Sequence, residues 1–327
     1  MKGWILSDDG SRIKETEAVR AENKEVKIKM ITAIVPDSAG NGVIAGSDGV
    51  GMVTEVGDEV TSVKRGDRVL VRPVSACGAC AKCRAGKRSE CEKGVVYGKT
   101  ADGTLRDFMI VPASDLILLP SQVDEETAVF TSLVATAIET FGRLNVEKGE
   151  HVVILGANAM GLIAAQVAIY YQAIPVLVDY REDLLDLGRK LGIYYTVNAV
   201  DADPVKKVFT ITCGKMAENL IYNIGSGVAL TRAFDYIGAR GRTAFVGEQS
   251  AKGEYNVNML DALRKDASVY TVSGGGENIY SAINMLVGKA VDVEPLIEKR
   301  VSFEEVGEAA EALRAGETPL EVIMEIR

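Results

Sequence analysis

Four of the five cysteines in this chain of 327 residues fall in one stretch, Cys77-Gly-Ala-Cys80-Ala-Lys-Cys83-Arg-Ala-Gly-Lys-Arg-Ser-Glu-Cys91. Gaps of two residues let successive thiolates turn back toward one centre, and a zinc ion takes four tetrahedral sulfurs at about 2.3 Å. The first two gaps also suit an iron–sulfur cluster. That pattern closes with a shorter gap and a proline, whereas here seven residues separate Cys83 from Cys91 and Glu92 follows, so zinc is favoured. Lys82, Arg84, Lys87 and Arg88 are expected to offset the excess negative charge from the rim. Four thiolates make a closed site, which holds structure rather than performing chemistry. Reduced thiols are expected rather than disulfides, because Met1-Lys2-Gly3-Trp4-Ile5-Leu6 runs straight into Ser7-Asp8-Asp9 with no secretory signal pattern.

The second chemical feature is a glycine turn, His151-Val-Val-Ile-Leu-Gly156-Ala-Asn158-Ala159-Met160-Gly161, with Asp179 lying 23 residues after Gly156. In the dinucleotide fingerprint G-x-G-x-x-G the first glycine makes the tight turn, the second lets backbone approach a pyrophosphate, and the third lets helix and strand pack closely. Asn158 stands in the second place. Asparagine tolerates positive φ, and its amide is expected to bond a phosphate itself. Asp179, as acceptor for both ribose hydroxyls, favours NAD over NADP; Arg181, two residues on, leaves that choice open.

These groups have to be held by two kinds of scaffold. The first part carries short β-rich runs: Glu25–Met30, Gly51–Val56, Arg68–Arg72 and Phe108–Val111. After residue 124 apolar strands alternate with helices, at Val152–Leu155, Ile174–Val178, Tyr195–Val197, Leu220–Tyr222, Thr243–Val246 and Ser268–Val272, the pattern of a doubly wound parallel sheet. Two more helices are expected after residue 279, the second opened by a capping box at Ser302-Phe-Glu-Glu305, and a last strand at Glu321–Ile326. With 47% hydrophobic residues and a net charge of −9, the chain reads as a soluble, cytoplasmic α/β protein that takes a small molecule, without a nucleic-acid surface or a membrane span.

Together these segments resemble the medium-chain dehydrogenase/reductase superfamily, in its zinc alcohol, polyol and threonine dehydrogenase branch. Gly46-Ser-Asp-Gly-Val-Gly-Met-Val-Thr-Glu-Val-Gly57 is similar to the family's G-H-E-x-x-G-x-V-x-E-V-G, Lys64-Arg-Gly-Asp-Arg-Val69 to its K-x-G-D-R-V, and Gly238–Gly247 to its glycine-and-arginine turn into a strand. The resemblance implies a GroES-like, mostly β domain over 1–124 and 274–327, with a structural zinc lobe at 77–91, and a Rossmann domain over 125–273. It also implies cofactor contacts at Gly156, Asn158, Ala159, Met160, Gly161, Asp179, Arg181, Gly247 and Ser273, and a homodimer or homotetramer extended through the strand near Ser268–Val272.

The family's catalytic zinc ligands, two cysteines (or a cysteine and a glutamate) and the histidine of G-H-E, have no counterpart. Ile34 falls approximately at the first position, Ser47 at the second, and Thr131 or Ser132 at the third; the segment between Asp37 and Gly46 is shorter than the family's by more than ten residues. The lone histidine, His151, starts a strand, and Cys213 lies in the nucleotide domain. The resemblance places Ser47, Asp48, Thr131, Ser132 and Thr136 in the cleft where hydride moves, with Ser47, Asp48 and Thr136 as catalytic candidates, and Tyr97 and Lys99 on a loop after the zinc lobe that reaches toward it. The leading reading is an NAD(H)-dependent oxidoreductase working without a catalytic zinc. An enone-type reductase and a nucleotide-binding protein without turnover are its alternatives.

Overall fold

The computed structural model describes all residues except 8, 9, 18, 224–229, 248–255, 319 and 327. The chain forms two compact units, Met1–Ser132 with Val293–Arg327, and Leu133–Asp292.

The first unit is built on a seven-stranded sheet. Its order is Ile297–Ser302, Glu321–Glu325, Glu25–Ile34, Gly49–Val56, Arg68–Val71 and Leu116–Leu118, with Phe108–Pro112 also paired to Glu25–Ile34. Only the pair Ile297–Ser302 and Glu321–Glu325 is parallel. Period-two patterning drives it: Val26, Ile28 and Met30 are fully buried while the intervening Lys27 and Lys29 keep their heads toward water. An antiparallel hairpin, Lys2–Ser7 with Gly10–Glu15, adds Trp4 and Leu6 to a core shared with Val306, Ala309 and Ala310 of the helix Val306–Arg314. The expected capping box is present, with Ser302 and Glu305 bonding reciprocally.

The chain enters the Ser47–Asp48 segment through a bend that only glycines fit. Gly46 has φ +89°, and a Cβ on Gly103 would lie 1.9 Å from Gly46 O. Ile34 N donates to Asp48 O at 3.1 Å and Thr104 Oγ1 to the same carbonyl at 3.3 Å, which fixes this corner at the start of Gly49–Val56.

The second unit carries six parallel strands in the order Tyr195–Asn198, Ile174–Asp179, His151–Leu155, Ala217–Tyr222, Ile237–Val246, Ser268–Val272. Numbered along this unit, that is 3-2-1-4-5-6, the order of a Rossmann sheet, and it reverses direction between His151–Leu155 and Ala217–Tyr222. Ligands of such sheets bind outside the carboxyl ends of the strands at that reversal. The helix Ala159–Tyr170 that follows the first strand is buried from Ala159 to Ala168, which explains its uniformly apolar sequence. Among the described residues no helix is long and apolar enough to cross a membrane.

Candidate functional site

The four clustered cysteines come together. Their sulfurs all lie within 4.8 Å of one another, at 3.5 Å for Cys80 and Cys83, 3.9 Å for Cys77 and Cys83 and 4.0 Å for Cys80 and Cys91. A tetrahedral ion with bonds of about 2.3 Å sets its sulfurs ~3.8 Å apart, so the set fits zinc. The backbone favours thiolates: Cys77 N donates to Cys91 Sγ at 3.3 Å, and amide bonds from Cys83 and Glu92 bring Cys80 down to about 6. Burial, and then the neighbouring Cys80 and Cys91 sulfurs, push Cys83 up to about 12. Sulfurs this close cannot all be charged without a cation among them. The basic residues serve other partners than expected. Lys82 and Lys87 pair with Glu90 at 2.6 and 3.6 Å, and Arg88 reaches the fully buried Asp115 at 3.1 Å, because a carboxylate is a better localised partner than a shared sulfur cluster. Asp115 also accepts from Tyr97 Oη at 3.0 Å. Tyr97 is therefore a buried anchor for the lobe and not a group free for chemistry; burial, then the Asp115 charge, hold its phenol well above the ordinary range.

In the second unit the sequence-predicted nucleotide residues gather at the carboxyl edge of the sheet. Gly156 follows the first strand and takes φ +106°, while a Cβ on Gly161 would come within 1.9 Å of Gly156 O. Asn158 departs from expectation. Its backbone is extended, φ −69° and ψ 179°, and its side chain caps the helix, with Oδ1 accepting from Gly161 N at 3.1 Å and Nδ2 donating to Asn223 O at 3.3 Å. It needs no positive φ, and its amide caps the helix with Oδ1 and one Nδ2 proton, which leaves the second Nδ2 proton as the part of the amide that a phosphate could take. The amides of Ala159 and Met160, in the first turn, have no partner within the helix and face the pole where anions bind.

Asp179 ends the second strand. Its Oδ2 accepts from Ala157 N at 2.7 Å and its Oδ1 from Arg181 N at 2.9 Å, which ties the carboxylate to the glycine turn and leaves each oxygen a further lone pair. Arg181 forms a two-point pair with Asp183, at 3.1 and 2.5 Å. Gly247, φ +81°, and Ser273 lie exposed just beyond the fifth and sixth strands. Sequence reasoning missed Asn223, which ends the fourth strand at the reversal. Its Nδ2 donates to Gly156 O at 3.3 Å, while its buried Oδ1 has no partner. A polar residue closing a hydrophobic strand, Leu220-Ile-Tyr-Asn223, was the available signal. His151 sits at the opposite end of its strand, against Glu218.

In the first unit Ser47 Oγ donates to Asp48 Oδ2 at 2.5 Å, while Asp48 Oδ1 is sealed from solvent without a partner. Burial raises the Asp48 carboxyl; the hydroxyls of Ser132 and Ser47 act against that by bonding the charged form. Of the two residues considered at the third ligand position, Ser132 joins Asp48, whereas Thr131 is fully buried and spends its hydroxyl on Ala128 O at 2.6 Å. Thr136 belongs to the second unit, where its carbonyl accepts from Thr140 Oγ1 at 2.8 Å and its amide lies against Gly275, where a Cβ would come within 2.3 Å.

Residues 15–121 match the model of the alcohol dehydrogenase GroES-like domain, and residues 159–288 that of the zinc-binding dehydrogenases. An uncharacterized zinc-type alcohol dehydrogenase-like protein of Haemophilus influenzae is 31% identical over 264 residues, covering 80% of this chain and 77% of that protein. The L-threonine 3-dehydrogenase of Pyrococcus abyssi is 30% identical over 287 residues, 86% of this chain and 81% of the relative. Among solved structures, an alcohol dehydrogenase from Thermus sp. ATN1 superposes over the whole of both chains with a TM-score of 0.89 at 23% identity. The chain thus belongs to the medium-chain dehydrogenase/reductase superfamily, and within it to the zinc-type alcohol dehydrogenase-like oxidoreductases.

Proposed function

We propose that this protein is an NAD(H)-dependent oxidoreductase acting on a small alcohol, amino alcohol or carbonyl compound, with one structural zinc at Cys77, Cys80, Cys83 and Cys91 and no catalytic zinc. The observation that carries the cofactor reading is Asp179, held by the amides of Ala157 and Arg181 at the carboxyl end of the second strand with lone pairs to spare for ribose hydroxyls. NAD is favoured over NADP because Arg181, the cation best placed to meet a 2′-phosphate, is already paired with Asp183. Gly156, Asn158, Ala159, Met160 and Gly161 would hold the pyrophosphate, with Asn223, Gly247 and Ser273 along the same edge. When bound, the nicotinamide supplies or accepts the hydride.

The catalytic part rests on what replaces the family's ligands. Ile34, Ser47 and Ser132 offer no imidazole or thiolate, so a carbonyl oxygen would be met by hydroxyls, with Ser47 and Asp48 passing the proton; Thr136 stays a catalytic candidate on the resemblance alone. The fit of the neighbouring dehydrogenases supports small-molecule chemistry, and the exposed edge strand Ser268–Val272 supports a homodimer or homotetramer. Calorimetric titration with NAD(H) and NADP(H), alongside zinc analysis of the purified protein, tests the reading. Tighter NAD(H) binding and one zinc per chain are expected; a second tightly bound zinc, with activity rising in proportion to it, would overturn the metal-free mechanism.

A further inference from the structure

Asp48 has company at its end of the sheet. The strand Glu25–Ile34 lies between Gly49–Val56 and Glu321–Glu325. At its end Ile34 N donates to Asp48 O at 3.1 Å, and the next residue, Val35, donates to Val322 O at 2.8 Å. These two bonds bring Asp48 and Glu321 to one sheet edge on either side of Ile34-Val35, and Asp37 follows two residues after Val35. Three carboxyl groups separated by up to 284 residues of sequence thus converge where the family's metal ligands are missing.

The charges acting on Glu321 are those of Asp48 and Asp37, and neither Asp48 nor Glu321 is met by a lysine or arginine among the described residues. On the paired strand Ile297–Ser302, Glu298 accepts from Leu320 N at 3.0 Å, and Arg300 is committed to Glu126 at 2.6 Å. Asp48 supplies an independent sign that something is owed a bond here: its Oδ1 is sealed from water and receives no hydrogen bond. Two partly buried carboxylates without a counter-ion cannot both stay ionised near neutrality at ordinary cost.

We propose that Asp48 and Glu321 act as a carboxyl pair carrying a single negative charge, with the proton held on Glu321, which makes Glu321 a positioning residue for proton transfer at Asp48. The electrostatics run the same way: burial first, then Asp48 and Asp37, push Glu321 up to about 7. Oxidation of an alcohol to a carbonyl releases one proton from oxygen for each hydride that leaves carbon. Asp48, the ionised member, takes that proton, and the pair returns it to water. This consequence rests on the oxidoreductase reading; the charge state of the pair does not.

The test is a pH titration of the full-length zinc protein carrying ¹³C at the glutamate side-chain carboxyls, followed by NMR without cofactor or substrate. One glutamate should titrate near 7, its signal should vanish in Glu321→Gln, and in Asp48→Asn its midpoint should move down toward the ordinary glutamate value. Absence of any glutamate titrating above the ordinary range, or a midpoint indifferent to Asp48→Asn, would sink the proposal. If Glu321→Gln does not fold, the unmodified protein and Asp48→Asn still decide it. Nucleotide titration of the same samples separates this result from the oxidoreductase reading, since either can fail alone. Where turnover is measurable, Glu321→Gln should shift the midpoint of the pH dependence of kcat/KM; a uniform loss at every pH overturns the positioning role.

Discussion

Single side chains at the carboxyl edge of the parallel sheet do two things at once. Asp179 orients the glycine turn and is the ribose acceptor of the proposed function, so Asp179→Ala is expected to weaken NAD(H) by roughly 10- to 100-fold, the loss of one or two charge-assisted hydrogen bonds, and to narrow the gap to NADP(H). Calorimetry on both cofactors reads this; tighter NADP(H) binding to the unmodified protein would return the choice to Arg181. Asn158 is a cap, and Asn158→Ala should cost about 1 kcal/mol of stability, whereas Asn158→Gly, which restores the fingerprint glycine, should cost only a few tenths. Denaturant melts distinguish the two; equal losses would mean that the Asn158 cap contributes little.

Glu321 carries a pH signature as well. Its folded-state value near 7 lies above the ordinary 4.5, so the folded form binds more protons between them, and stability should fall as pH rises through that window. Melting curves from pH 4 to 8 should show this fall relative to Glu321→Gln, in which it is absent. The glycine turn, Asp179 and the four cysteines were legible in the sequence because each is a local pattern. Glu321 was not, since only the pairing of Glu321–Glu325 with Glu25–Ile34 carries it to Asp48. Ser132 and Thr131 are adjacent and chemically alike, and their roles separate only when the start of the helix points one hydroxyl at Ala128 O.

At the level of elements, sheet strands were readable wherever an apolar run stood between helices or alternated with polar residues. The strand Ile297–Ser302, Ile-Glu-Lys-Arg-Val-Ser, shows neither pattern; it forms as an edge, with one side of its ladder supplied by Glu321–Glu325 and little to bury. The hairpin strand Gly10–Glu15 hides for the same reason. The cysteine lobe depends on tertiary anchoring as well as metal. Asp115, fully buried, receives Arg88 from the lobe and Tyr97 from the segment after it, so Asp115→Ala leaves a guanidinium and a phenol without their acceptor and should cost about 3–5 kcal/mol. Chelation of zinc should likewise lower the melting temperature, and Cys83→Ser should do so without weakening NAD(H), whose turn lies in the other unit. A Cys83→Ser protein with unchanged melting and lost nucleotide binding would refute a purely structural lobe.

For the molecule as a whole, the parallel sheet of the second unit ends in an open edge. Among the described residues Ser268–Val272 is paired with a strand on one side only, by Ile237–Val246, with Val269 38% exposed. The helix just before it, Met259–Arg264, exposes Met259, Leu260 and Leu263, the last at 75%. An unpaired strand beside exposed apolar side chains is a template for further pairing unless it is covered, and a second copy offers the same edge by a twofold axis. The net charge of −9 opposes nonspecific clustering but is screened beyond about 8 Å at physiological salt, so it does not prevent a short-range contact through this edge. Light scattering on the purified protein should therefore give a dimer or tetramer. Val269→Lys, which places a charge on the pairing edge, and Leu263→Glu should each shift the mass toward the monomer while leaving zinc content at one per chain. A monomeric unmodified protein, or variants that stay fully associated, would show that this edge is covered in some other way.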